Sequence, residues 1–216
     1  MIFFILGAGY FGRLALERLA SLQPQAEFRL VDLEPDQCRT LTAPPGVKWQ
    51  CQVGDAVACL SEILSDSPPT WIIPAIPDHV AWGWLTNCLE PGTWRPCPVP
   101  RALVAGLPWV GGGDNGGWYV SLATTPCPDD CPETVSRCRV TNLPRQVNMY
   151  KYLEDLGTPE AQVVVVRSRQ LAPGVGGYRP EALWNLRSQV QQARGRVYVA
   201  TACRCHGVIH GLEKIS

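Results

Sequence analysis

A chain of 216 residues, 46% of them hydrophobic, carries enough apolar material for a core and is not a disordered protein. Its 19 basic and 19 acidic residues cancel, so nothing in the overall charge draws it to nucleic acid or to an anionic membrane. No apolar run approaches the ~20 residues that cross a bilayer, and the opening MIFFIL lacks the basic flank of a signal peptide, so the chain reads as soluble and cytoplasmic.

The first element is a short apolar run over residues 2–6, of the kind that makes a buried parallel strand. It ends in Gly7-Ala8-Gly9-Tyr10-Phe11-Gly12, after which Phe11, Leu14, Ala15, Leu19 and Leu22 recur at helical spacing. The glycines therefore lie at a strand-to-helix turn, where Gly7 permits the turn, Gly9 lets a pyrophosphate approach and Gly12 lets helix and strand pack closely. A second strand, residues 28–31, delivers Asp32 at the distance where an acid bonds a ribose 2′-hydroxyl and repels a 2′-phosphate. The expectation is a dinucleotide site formed by Gly7, Gly9, Tyr10, Phe11, Gly12 and Asp32, with NAD(H) favoured over NADP(H).

With a third strand over 47–51 closed by Gly54-Asp55-Ala56, residues 1–64 resemble the nucleotide-binding domain of TrkA-type potassium-uptake regulators, the KTN or RCK domain. The resemblance implies a place near the adenine for Asp55, and covers roughly the first third of the chain. The whole chain also resembles a group of uncharacterised bacterial proteins labelled TrkA-like that carry a similar cysteine block and ending; that likeness implies no activity.

Beyond it, Val57, Leu60 and Leu64 share a helical face, and the apolar run 71–77 reads as a fourth strand stopped by Pro74 or Pro77. Asp78 caps the next helix with His79 in its first turn, a surface or capping histidine whose place past a strand's carboxyl end keeps a ligand-facing role open. Residues 90–145 read as an irregular Pro/Gly/Cys-rich insertion, with a hairpin or loose loop around 111–117. The eight tryptophans are scattered and form no stacking stripe. A helix over 147–156, a strand over 163–166 running into Arg167 and Arg169, a glycine-rich loop over 173–178, a helix opening at Pro180 and a last strand over 196–200 complete the pattern. Strands alternating with helices predict one α/β domain over 1–216, a doubly wound, mostly parallel Rossmann-like sheet with an inserted cysteine-rich loop.

In a reducing compartment ten cysteines read as core residues plus metal ligands rather than as a disulfide framework. Cys38, Cys51, Cys59 and Cys88 sit singly in apolar stretches and read as buried hydrophobes. Cys127, Cys131 and Cys138 do not, because Pro128, Asp129, Asp130, Pro132, Glu133 and Arg137 make a poor core around them. Three thiols plus one of Cys203, Cys205 or His206 complete a set of four, which suits zinc or an iron–sulfur cluster. The doubled Cys-Pro leans toward the cluster, and the neighbouring histidine toward zinc.

Two functions fit. One is an NAD-linked oxidoreductase of unspecified substrate, with Arg167, Arg169 and His79 as candidate substrate-facing residues and the metal or cluster close to the nucleotide. The other is a non-enzymatic NAD or redox sensor of the TrkA type with a structural zinc site. A small molecule or a protein partner, and a homodimer, stay open. If one parallel sheet carries both sites, Cys203 to His206 and the glycine loop share its carboxyl rim, and metal and nucleotide binding are coupled.

Overall fold

The computed structural model describes residues 1–215, and its first strand is the apolar opening run: β1 (Ile2–Leu6), with Phe3, Phe4, Ile5 and Leu6 all buried. The glycine turn leads into α1 (Tyr10–Leu22), followed by β2 (Glu27–Asp32), α2 (Pro35–Arg39), β3 (Lys48–Val53), α3 (Ala56–Asp66) and β4 (Trp71–Pro74). These four strands form a wholly parallel sheet in the order β3-β2-β1-β4. The buried face of α1 is centred on Gly12, Ala15, Leu16, Leu19 and Ala20. Phe11 and Leu22, which the spacing assigns to that face, are exposed instead. Neighbouring strands lock through Phe3 stacked on Phe28, with ring centroids 5.2 Å apart.

The chain continues through α4 (Val80–Cys88), β5 (Trp94–Cys97), α5 (Arg101–Val104), β6 (Trp109–Gly112), β7 (Trp118–Ser121), α6 (Met149–Glu154) and β8 (Ala161–Arg167). It ends with β9 (Arg169–Ala172), β10 (Val175–Gly177), α7 (Pro180–Gln192), β11 (Arg196–Ala202) and β12 (His206–Lys214). Its contacts gather into two units where the sequence reading has one domain. The first is Met1–Val80 with Arg169–Glu181, and the second is Ala81–Ser168 with Ala182–Ser216.

Within the first unit β9 and β10 form an antiparallel hairpin where the glycines predict a loop. The residue after it, Tyr178, exchanges backbone hydrogen bonds with Ile72 of β4, at 2.8 and 3.0 Å. A disulfide joins Cys38 of α2 to Cys51 of β3, which corrects the reading of both as isolated apolar thiols. Cys59 and Cys88 are half-buried rather than core residues.

The second unit holds a mixed sheet, β6-β7-β12-β11-β8, with β5 also paired to β12. Only β8 and β11 are parallel; β11 returns through a tight turn into antiparallel β12, whose other edge takes β7 over 206–209 and β5 over 211–214. Three strands thus lie inside the stretch read as an irregular insertion, and the part without regular elements narrows to residues 122–148. Val120, Met149, Leu153, Tyr198, Ala200 and Ile209 anchor the core of this unit. The architecture is mixed α/β with one parallel and one mixed sheet. The glycine loop and the Cys203–His206 segment belong to different sheets, so the shared-rim argument loses its premise. Among the described residues no helix is long and apolar enough to cross a membrane.

Candidate functional site

In the first unit the strand order reverses between β1 and β4, the switch point at which parallel sheets leave a crevice beyond their carboxyl ends. The glycine loop fills that place. Gly7 adopts φ +105°, which favours glycine, and its N–H donates to Val31 O at 2.8 Å. A Cβ on Gly12 would lie 2.0 Å from Gly7 O, so α1 can start this close only without a side chain there. A Cβ on Gly9 would meet nothing within 4 Å. Gly9 is also the N-cap of α1, so no side chain caps the helix start.

Asp32 is tied to this loop. Its Oδ2 accepts from Ala8 N at 2.6 Å and its Oδ1 from Glu34 N at 2.9 Å, which fixes the carboxylate at the end of β2. Each oxygen keeps a lone pair for a further donor. Arg13 of α1 clamps the end of α2 through Gln37 O at 3.0 Å and Thr40 O at 2.9 Å. Beyond β4 lies an apolar cavity of about 300 Å³, walled by Phe11, Ala15, Ile73, Ile76, Pro77 and Val175. Tyr10 and Phe11 remain exposed at the helix start, their rings edge to face at 5.2 Å. Asp55 serves α3 as N-cap, its Oδ1 accepting from Ala58 N at 2.8 Å.

The three candidate substrate-facing residues have different surroundings. His79 is buried, which corrects the surface alternative of its surface-or-capping reading, and it stands immediately before α4 instead of within it. Arg169 is exposed at the start of β9, opposite Gly177. Arg167 ends β8 in the second unit and lies over the Tyr150 ring at 4.0 Å, a cation–π contact that gives it a packing role.

In the second unit residues 122–148 and the start of α6 wrap the β11–β12 turn and are stitched to it at several points. Leu122 N donates to Cys205 O at 2.8 Å, Met149 N to Arg204 O at 2.9 Å and Tyr150 N to Cys203 O at 3.2 Å. From the loop, Glu133 Oε1 accepts from Arg204 N at 2.6 Å, and Arg145 donates to Thr134 O and to Cys205 Sγ, the latter at 2.9 Å. Glu133 and Asn142 adopt positive φ, of 43° and 56°, so the wrap is held in a conformation that most side chains avoid. The stitching brings Cys127, Cys131, Cys138 and Cys205 to the wall of one cavity of about 330 Å³, along with Leu122, Leu143, Pro144 and Val147.

Cys203 and His206 stand at the turn itself. Cys203 Sγ accepts from Cys205 N and His206 N, both at 3.4 Å, and lies 3.9 Å from His206 Nδ1. His206 Nε2 reaches to 3.6 Å from Cys127 Sγ. Burial pushes the Cys127 thiol up, and neighbouring Cys131, Cys205 and Cys138 add to the effect. Bonds from Thr141 draw the Cys138 thiol down. Burial raises Cys205 against the opposing pull of Arg145. Among the described residues no three His, Cys, Asp or Glu side chains are gathered closely enough to hold one metal ion. Sequence reasoning missed Arg145 and Glu133, whose only sign is that they are charged residues in or just beyond a cysteine-rich stretch.

The family model described as "AF_1314_C: Uncharacterized protein, C-terminal domain" matches residues 81–215. A protein of Archaeoglobus fulgidus, described as an uncharacterized protein, is 34% identical over 151 residues. That alignment covers 68% of this chain and 66%, just under two thirds, of the relative. No solved structure matches.

Proposed function

Since the chain belongs to the AF_1314_C family through residues 81–215, we propose that its nucleotide chemistry begins outside the family segment, at the glycine loop, and that the protein binds NAD(H) there on a Rossmann-like sheet. The observation that carries this reading is the loop's geometry. Backbone crowding excludes side chains at Gly7 and Gly12, open space lies over Gly9, and an uncapped helix start faces that space. Asp32, fixed by Ala8 N and Glu34 N, would accept from a ribose 2′-hydroxyl and repel a 2′-phosphate, so NAD(H) is preferred over NADP(H). The apolar cavity beyond β4 suits the nicotinamide ring, which supplies hydride chemistry when bound. With Cys- and His-rich segments gathered in the second unit as a metal or iron–sulfur centre, the role is redox, that of an NAD-linked oxidoreductase. Isothermal titration with NADH and NADPH tests it: the expected preference is for NADH, narrowed in Asp32→Ala. Equal affinity of the parent protein for both would remove the reading.

The Cys38–Cys51 disulfide favours a second reading, a non-enzymatic redox sensor, because it places a dithiol couple beside the strand that carries Asp32. NADH oxidation with an artificial electron acceptor separates the two: the oxidoreductase turns over, and the sensor only binds.

A further inference from the structure

Resting on the reading of the second unit as the metal-holding one, we infer that the cavity walled by Cys127, Cys131, Cys138 and Cys205 is the seat of an iron–sulfur cluster held by those four thiolates, with Cys203 and His206 outside the ligand set.

Donor spacing is the first ground. A tetrahedral zinc holds each sulfur at ~2.3 Å, which crowds its ligands around a point. Four cysteines instead line one cavity of about 330 Å³. A cluster replaces the point with a polyhedron whose corners take one thiolate each, and four cysteines are its usual complement.

The turn makes the choice of fourth ligand. Cys205 is buried and forms part of the cavity wall; Cys203 and His206 do not. The sulfur of Cys203 faces inward to the turn, where it takes the amides of Cys205 and His206. His206 instead sets Nε2 at 3.6 Å from Cys127 Sγ, so the tautomer protonated at Nε2 would donate to a ligand sulfur. Such hydrogen bonds tune a cluster's potential without binding iron.

The surroundings match as well. Leu122, Leu143, Pro144 and Val147 keep the cavity apolar, while Arg145 donates to Cys205 Sγ. Four thiolates in so small a space would repel one another, and the two arginines on its wall, Arg139 and Arg145, offset only part of that charge. A multi-iron core supplies the missing positive charge.

The test is reconstitution of the full chain with ferrous iron and sulfide under anaerobic conditions. Iron and acid-labile sulfide are expected in equal amounts, about two to four of each per chain, with a visible absorption that dithionite bleaches. Cys127→Ser, Cys131→Ser, Cys138→Ser and Cys205→Ser should each lose most of the iron. Cys203→Ser and His206→Gln should keep it, the second with a lowered reduction potential. A single zinc ion without sulfide, or equal iron loss in Cys203→Ser and Cys205→Ser, would overturn the inference. Circular dichroism establishes that each variant folds, and if Cys205→Ser does not, the comparison of Cys127→Ser with Cys203→Ser decides. NADH titration of the same samples is scored separately: a clustered protein that ignores NADH removes the first-unit reading and leaves this one standing.

Discussion

The glycine loop and the cysteine-walled cavity are built on opposite principles. The loop occupies one strand–turn–helix, and its chemistry lies in the backbone: amides at a helix start and a space that no side chain may enter. The cavity collects side chains from segments that the sequence keeps far apart, and its shape depends on a few long bridges from Arg145, Glu133 and Arg204. A backbone site is therefore intolerant of added atoms but needs little external support. A side-chain site tolerates local change but fails when a remote anchor is lost.

Substitution within the loop breaks the comparison most severely. Alanine in a helix normally stabilises by up to ~1 kcal/mol over glycine, but Gly12→Ala places its Cβ 2.0 Å from Gly7 O. The expected outcome in urea denaturation is a loss of ~3 kcal/mol or more, the overpacking cost at a site that cannot give way. Gly9→Ala, three residues earlier, should leave stability within ~0.5 kcal/mol and weaken NADH binding instead, because its Cβ points into open space.

Next in size is the disulfide of the first unit. Cys38 and Cys51 are 13 residues apart, and closing a loop of that size contributes ~3 kcal/mol in the chain-entropy account. Reductant should lower the denaturation midpoint by a matching amount, and alkylation before reduction should label two fewer thiols than alkylation after it. In the second unit Arg145→Met keeps much of the side chain's volume but removes its bonds to Cys205 Sγ and Thr134 O. A cost of ~1–3 kcal/mol is expected, read as cleavage within residues 122–148 at lower protease concentration.

The smallest effect is one of pH. His210 is buried beside Asp114 O, and burial holds its imidazole below the ordinary value of 6.5. The unfolded chain therefore takes up its proton first: stability is unaffected above pH 6.5 and falls as pH drops below it. Glu27, bonded to Lys48 and Arg29, has its carboxyl held below 4.5, so its contribution is present above that pH and is lost as pH falls further. Denaturation midpoints from pH 7 to pH 5 should decline in the parent and decline less steeply in His210→Asn, where His206, whose imidazole burial also holds below 6.5, keeps the remainder.

What the sequence reveals follows the same division. β1, α1 and β2 are legible because each advertises its period, and Asp32 stands where the register demands. The β9–β10 hairpin and β12 are not: Gly174, Gly176 and Gly177 read as a loop in the one, and the pattern predicts no element beyond residue 200 for the other. β12 becomes a strand through partners on both edges, which no local pattern records. The Cys38–Cys51 bond needs the β2–β3 pairing to bring its halves together. Cys127, Cys131 and Cys138 are legible as a set from their charged, proline-rich neighbours. Singling out Cys205 from Cys203 and His206 requires the geometry of a turn that the last strand was not expected to make.

The bond pair between Ile72 and Tyr178 has a consequence during synthesis. About a hundred residues separate the two, and at the ~5–20 residues per second of translation the outer edge of β4 waits roughly 5–20 seconds for its partner. Until then an apolar strand edge stands open to pairing with another chain. A fragment ending before residue 169 keeps that edge permanently, because the chain passes from one unit to the other three times and no single cut releases either. The first unit is thus finished late although it is begun first, and its yield should depend on how well the growing chain is shielded in that interval.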